Sequence, residues 1–181
     1  MKEGPFTPAT SNAPLRAGKG YLYEGGIRVP LVIRWPGRIP AGSICQATVS
    51  SIDFFPTLIE LAGIQRRPSQ ILDGESLSPL LKQSGELKRD ALFWHYPHYS
   101  NQGGKPGSAI RQGDFKLIEF FEDGNLELYN LRDDLSETRD LASQLPDKVR
   151  ALHRRLTDWR TSVDAQMMKA NPNFKTLNTS R

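Results

Sequence analysis

Two short stretches of this chain carry residue types that could do chemistry. The first is Gly18-Lys19-Gly20, followed by Tyr23-Glu24-Gly25-Gly26-Ile27-Arg28 and an apolar run from Val29. Glycines on both sides of a lysine allow conformations and close approaches that a β-carbon forbids. Lys19 therefore sits on a loop where its ammonium can meet an anion, or can simply be solvated. Glu24 and Arg28 read either as an ion pair that braces this loop or as ligand contacts. The second stretch is His95-Tyr96-Pro97-His98-Tyr99, continued by Ser100-Asn101-Gln102-Gly103-Gly104-Lys105-Pro106-Gly107. Two histidines three apart could hold a metal, but Pro97 lies between them and no third ligand is at hand. The loop reads equally as a surface segment with half-buried aromatics and as a rim. In the second case imidazoles and tyrosines would stack on, or hydrogen-bond, a sugar or an aryl group.

Other candidates carry less. Cys45 is the single cysteine, so the chain has no internal disulfide and no metal-binding cysteine pattern. Asp133, Asp134 and Glu137 cluster in sequence, but Asp133-Asp134-Leu135-Ser136 has the composition of a turn with a helix cap. His153 falls on the polar flank of a helical stretch and is expected to be solvated. The net charge of +4 fits an anionic partner, yet the basic residues are scattered, and the denser Arg150–Arg160 stretch reads as the wet face of a helix. No zinc-finger or RNP pattern is present, which argues against nucleic acid. No apolar run approaches a membrane span, and the N-terminal MKEGPFTPATSNAP lacks the apolar core of a signal peptide.

Elements must position these loops. Residues 1–17 read as loop. Val29–Trp35 is rich in β-branched residues and closed by Pro36-Gly37, which predicts a strand. Such a strand wants neighbours on both edges. Ser43–Val49 is a second candidate strand. Asp53 is placed to cap a helix with Pro56 in its first turn and Gly63 as its stop, with Phe55, Leu58, Ile59 and Ala62 as its apolar face. A short helical turn is predicted at Ser78–Lys82. From Asp90 the pattern changes to short strands at Ala91–Tyr96, Ser108–Arg111, Phe115–Phe121 and Leu126–Leu131. The turn Glu122-Asp123-Gly124-Asn125 joins the last two. Pro146 opens a helix in which Val149, Leu152, Leu156, Trp159 and Val163 form one stripe that should pack on the sheet.

Taken in order, several of these motifs resemble the C-terminal part of the sulfatase (arylsulfatase-like) family. The resemblance rests on Pro14–Gly20, Tyr23–Pro30, Trp35-Pro36-Gly37, Asp53–Leu58, Asp73–Leu77, Ile110–Leu117 and Glu127–Leu131. It implies an α/β fold: the incomplete end of an alkaline-phosphatase-like large domain over residues 1–85, then a small α+β subdomain over 86–166. That subdomain would have about four antiparallel strands packed by a C-terminal helix, and 167–181 would be a flexible tail.

The resemblance also implies hydrolysis of a sulfate ester. In this family the nucleophile is a formylglycine made from the Cys or Ser of a C/S-x-P-x-R motif, and a calcium-type metal is held by aspartates and an asparagine. Neither is found here. Asn12-Ala13-Pro14-Leu15-Arg16 has part of the spacing, but asparagine cannot become formylglycine. The chain is therefore expected to be inactive alone, with calcium bound by ligands it does not carry. Lys19 matches the family lysine that approaches the sulfate, and His95 and His98 are candidate substrate-binding residues. Glu24 and Arg28 are candidate loop supports. The expected partner is a sulfated small molecule or glycan. Two alternatives stay open: a non-catalytic truncated product that binds an anionic glycan or a partner protein, and a phosphoester or phosphonate hydrolase of the same superfamily.

Overall fold

The computed structural model describes residues 11–169, 171 and 172. They fall into two compact units, one formed by the chain up to Val29 together with Ala91 onward, the other by Pro30–Asp90.

The first unit is built on an antiparallel sheet of order β1-β2-β3-β4, with β1 Ala91–Tyr96, β2 Gly107–Gln112, β3 Phe115–Phe120 and β4 Leu126–Asn130. Gly113 and Gly124 take positive φ (58° and 70°) in the two tight connections, as hairpin turns require. The register sets Ile110 opposite Leu117, and Leu117 opposite Leu128. Because side chains alternate along a strand, these three share one face. That face packs on α4, Pro146–Ser162, through Leu152 and Leu156, with Phe93 stacked on Trp159 at 4.8 Å. The apolar stripe of the final helix is thus where the sequence predicts it, except that Val163 lies beyond the helix and is exposed. His153 departs from expectation. Its Nε2 lies 3.2 Å from Glu119 Oε1 of β3, and Arg160 pairs with the same carboxylate at 2.6 Å.

The opposite face of the sheet is also covered. Ala109, Ile118 and Tyr129 pack against Leu22 and Tyr23, which lead into the one-turn helix α1, Glu24–Ile27. A sheet buried on both faces explains why β2 is buried over four successive residues. It also fixes the Lys19 stretch to the sheet, a role the sequence does not announce.

The second unit holds a 3₁₀ turn at Ser51–Asp53, then α2, Phe54–Leu61, and α3, Ser78–Leu81. Pro56 lies in the first turn of α2 and Gly63 follows its end at φ 67°, as expected. Three expectations fail here. Val29–Trp35 and Ser43–Val49 form no strand: neither finds a ladder partner among the described residues, and Val32 is 89% exposed. Apolar, β-branched composition favours a strand only where an edge is available to pair with. Asp53 occupies the N-cap position of α2 without capping it through its side chain. Its buried carboxylate instead accepts the Ser50 and Glu75 N–H groups and pairs with Arg89. The buried side of α2 is Pro56 and Thr57, with Thr57 Oγ1 accepting the Leu77 N–H at 2.8 Å, while Phe55 and Leu58 are exposed.

Among the described residues no helix is long and apolar enough to cross a membrane. The expected tail at 167–181 and the first ten residues of the expected loop lie largely outside the described residues.

Candidate functional site

The loop that carries Lys19 is folded tightly back on itself. Ala17 and Gly20 both hold positive φ (60° and 94°), so the chain reverses on either side of the lysine. The Gly25 N–H donates to Arg16 O at 2.9 Å, and Asn12 Nδ2 donates to Gly25 O at 2.8 Å. A β-carbon at Gly25 would overlap the Arg16 and Ala17 carbonyl oxygens, and one at Gly26 would overlap that of Tyr21. The glycine pair is therefore a close-approach requirement, and it sets where residues 16–21 lie. Arg16 closes the other end: it donates to the Tyr129 hydroxyl and to Glu137 O, both at 2.8 Å, with its guanidinium over the Tyr23 ring. The hydroxyls of Tyr23 and Tyr129 both donate to Glu127 Oε2, and burial with these bonds pushes both phenols well above their ordinary range.

The structure brings the two candidate stretches together. A β-carbon at Gly104 would overlap the Gly20 carbonyl oxygen, and one at Gly20 would overlap Ser100. The rim loop is itself closed by the Ser100 N–H donating to Gly104 O at 2.9 Å. Its outer edge is held by Glu122, which accepts from Tyr99 at 2.8 Å and pairs with Lys105 at 2.6 Å. Lys105, with Tyr99, holds the Glu122 carboxyl below its usual range.

The predicted site residues are placed as follows. Lys19 is exposed, and no carboxylate among the described residues pairs with it. His98 is exposed, its ring edge-on to Tyr96. His95 has both ring nitrogens engaged, Nδ1 with Ser108 Oγ and Nε2 with Gln166 O, each at 2.8 Å. Glu24 is buried, with Arg28 at 3.7 Å.

Beyond Arg28, sequence reasoning missed the partners of Glu24. Lys116 of β3 is fully buried, 3.0 Å from Glu24 Oε1 and 2.9 Å from Glu137 Oε1. Glu137, read from sequence as part of a turn, is also fully buried and accepts the Glu24 N–H at 2.6 Å. Burial is the largest influence on its carboxyl and raises it above the ordinary range, against the pull of Lys116. Arg111 and Lys116 are directly opposed across β2 and β3, a repulsive pairing. Glu24 relieves it by facing both, with Arg111 at 3.8 Å. A signal for Lys116 does exist: it alternates with Ile118 and Phe120, which places it on an apolar face.

Among the described residues no group of three His, Cys, Asp or Glu could hold a metal ion. The calcium that the resemblance implies fits no cluster among the described residues.

Comparison with known proteins agrees with the fold. Residues 17–162 match the family described as N-sulphoglucosamine sulphohydrolase, C-terminal. A sulfatase of Formosa agariphila is 42% identical over 156 residues, covering 80% of this chain and 28% of the relative. The solved structure of Ps i-CgsB in complex with k-i-k-neocarrahexaose superposes with TM-score 0.70 at 31% identity, over 86% of this chain and 33% of that one. That of BT4656 with its substrate D-glucosamine-2-N,6-O-disulfate gives TM-score 0.59 at 30% identity, over 74% and 28%. This chain therefore spans a third or less of the length of these relatives. Its four-stranded sheet with a packed helix has the fold of their C-terminal part, and the chain belongs to the sulfatase family.

Proposed function

We propose that the whole protein to which this chain belongs hydrolyses sulfate esters, and that this chain supplies a sulfate-binding lysine and part of the substrate rim. The observation that carries the reading is Lys19, held on a hydrogen-bonded, doubled-back loop, exposed, and without a carboxylate partner among the described residues. Its neighbour across the loop contact, Lys105, is by contrast neutralised by Glu122.

Sulfate ester cleavage needs three things: a nucleophile in line with the S–O bond, positive charge on the sulfuryl oxygens, and a proton for the leaving alcohol. An unpaired ammonium serves the second need, because it meets an oxyanion without first breaking an ion pair. His98 and Tyr96 would face the remainder of the substrate from the rim. His95, whose nitrogens are engaged, would offer its ring and hold the end of β1 in place. The formylglycine nucleophile and calcium would be supplied by parts of the family fold outside the matched region, so this chain alone is expected to turn nothing over. The family description and the disulfated glucosamine substrate of BT4656 support a sulfated saccharide as the substrate class.

The test is a chimera in which this chain replaces the corresponding part of the Formosa agariphila sulfatase. Sulfate release should survive the exchange, and Lys19→Ala should lower kcat/KM by about 10²–10³-fold, as loss of one oxyanion-stabilising donor does. A folded, active chimera indifferent to Lys19→Ala would refute the assignment.

A further inference from the structure

The face of the sheet opposite α4 holds three fully buried or nearly buried ions where apolar side chains would pack. Burying ions carries a heavy desolvation cost before pairing, and an apolar trio of similar shape often holds a fold together at least as well. What the ions add is direction. Lys116 grips the Glu24 side chain, and Glu137 grips both Lys116 and the Glu24 backbone N–H. Glu137 also sits at φ 51°, a left-handed conformation that a residue bearing a side chain adopts where its surroundings fix it. Its carbonyl oxygen accepts from Arg16, so one residue touches both ends of the doubled-back loop. Between those ends lies Lys19.

We propose that Lys116 and Glu137 are positioning residues that act through Glu24 to hold the Lys19 loop in register on the sheet. The small sheet is then a part of the anion site, because it decides where the ammonium stands. The functional consequence rests on the reading of Lys19 as a sulfate ligand; the positional claim does not.

Amide hydrogen exchange on the 181-residue chain tests it. Lys116→Met strands two buried carboxylates and could unfold the unit, so Glu137→Gln, nearly the same shape, is the deciding variant. Exchange at Gly25, Gly26 and Arg28, whose N–H groups bond within the loop, should rise about tenfold or more, as loss of one charge-assisted contact allows. Leu117, Ile118 and Leu128 in the sheet should stay within about twofold, since their local opening is a separate event. Equal acceleration of loop and sheet would mean a merely structural role, and an unchanged loop would mean no latch; either overturns the proposal.

A parallel titration with inorganic sulfate compares the wild-type chain, Lys19→Ala, Glu137→Gln and the double variant. If Glu137 acts through Lys19, the double variant binds no more weakly than Lys19→Ala alone. Additive weakening would overturn that route. If Lys19→Ala leaves sulfate binding unchanged, the ligand reading fails, while the exchange result still decides the latch.

Discussion

Replacing Lys116 with methionine removes the cation that contacts both Glu24 and Glu137 and leaves those carboxylates buried together. Its Nζ stands 3.0 Å and 2.9 Å from the two carboxylate oxygens. At an effective dielectric constant of about 20, each contact is worth a gross 5 kcal/mol or so. Desolvation of the three ions offsets most of that, so the intact cluster lies near break-even. Removing one partner is different, because the desolvation has already been incurred and the attraction is gone. The cost should be about 3–5 kcal/mol. Arg28 and Arg111, at 3.7 and 3.8 Å from Glu24, moderate it toward the lower end. Urea unfolding followed by fluorescence reads the relevant unit, since Trp94 and Trp159 lie in its two cores. With a urea slope of about 2 kcal/mol/M, the midpoint should fall by roughly 1.5–2.5 M. The neutral triple variant Lys116→Met/Glu24→Gln/Glu137→Gln should recover part of the loss, because no fully buried charge is left unpaired; the partly exposed Arg28 and Arg111, which lose Glu24, keep the recovery incomplete. A Lys116→Met midpoint within about 0.3 M of wild type would refute the reasoning, since at that slope the cluster would be contributing well under 1 kcal/mol.

Other perturbations address the loops and the second unit. Gly104→Ala forces a β-carbon onto the Gly20 carbonyl oxygen and should cost about 1–3 kcal/mol, read as a lower urea midpoint; Gly124→Asn, where a β-carbon meets nothing, should cost far less. Burial opposes ionisation of Asp53, but Arg89 and the Ser50 and Glu75 N–H groups outweigh it and hold its carboxyl below the ordinary range. A lowered folded pKa means a contribution present above the unfolded value of about 3.9 and lost as pH falls through the folded value. Stability of the Pro30–Asp90 unit should therefore drop below about pH 4, and Asp53→Asn should flatten that limb in acid titrations followed by Trp35 fluorescence. Leu58→Lys on the exposed side of α2 should change this chain's stability by less than about 0.5 kcal/mol in the same urea assay.

How much of this could be read in advance depended on how local each feature is. The hairpins and α4 are encoded by alternation, an Asp-Gly turn and a regular apolar stripe, all within a few residues, and they fold where the pattern puts them. Val29–Trp35 carries an equally apolar pattern, but strand formation also requires a second edge, which composition cannot report. The α2 face failed for a related reason: amphipathicity says which side is apolar, not whether anything covers it. At the site, the glycine-flanked Lys19 and the rim loop were visible as motifs, whereas their contact through Gly20 and Gly104 was not. Lys116 left a trace in the alternation of β3. Glu137 left none, because its partner Glu24 is 113 residues away and its turn looks like any other.

The claim on which the rest depends is that Lys19 offers its ammonium to sulfate, and titration of the chain with sodium sulfate at constant ionic strength tests it most directly. Constant ionic strength separates a bound ion from general screening. The amides of Gly18 and Gly20 should shift saturably, the shifts should vanish in Lys19→Ala, and they should persist in Lys105→Ala, whose charge is already paired. Shifts that survive Lys19→Ala, or that never saturate in the wild-type chain, would contradict the account.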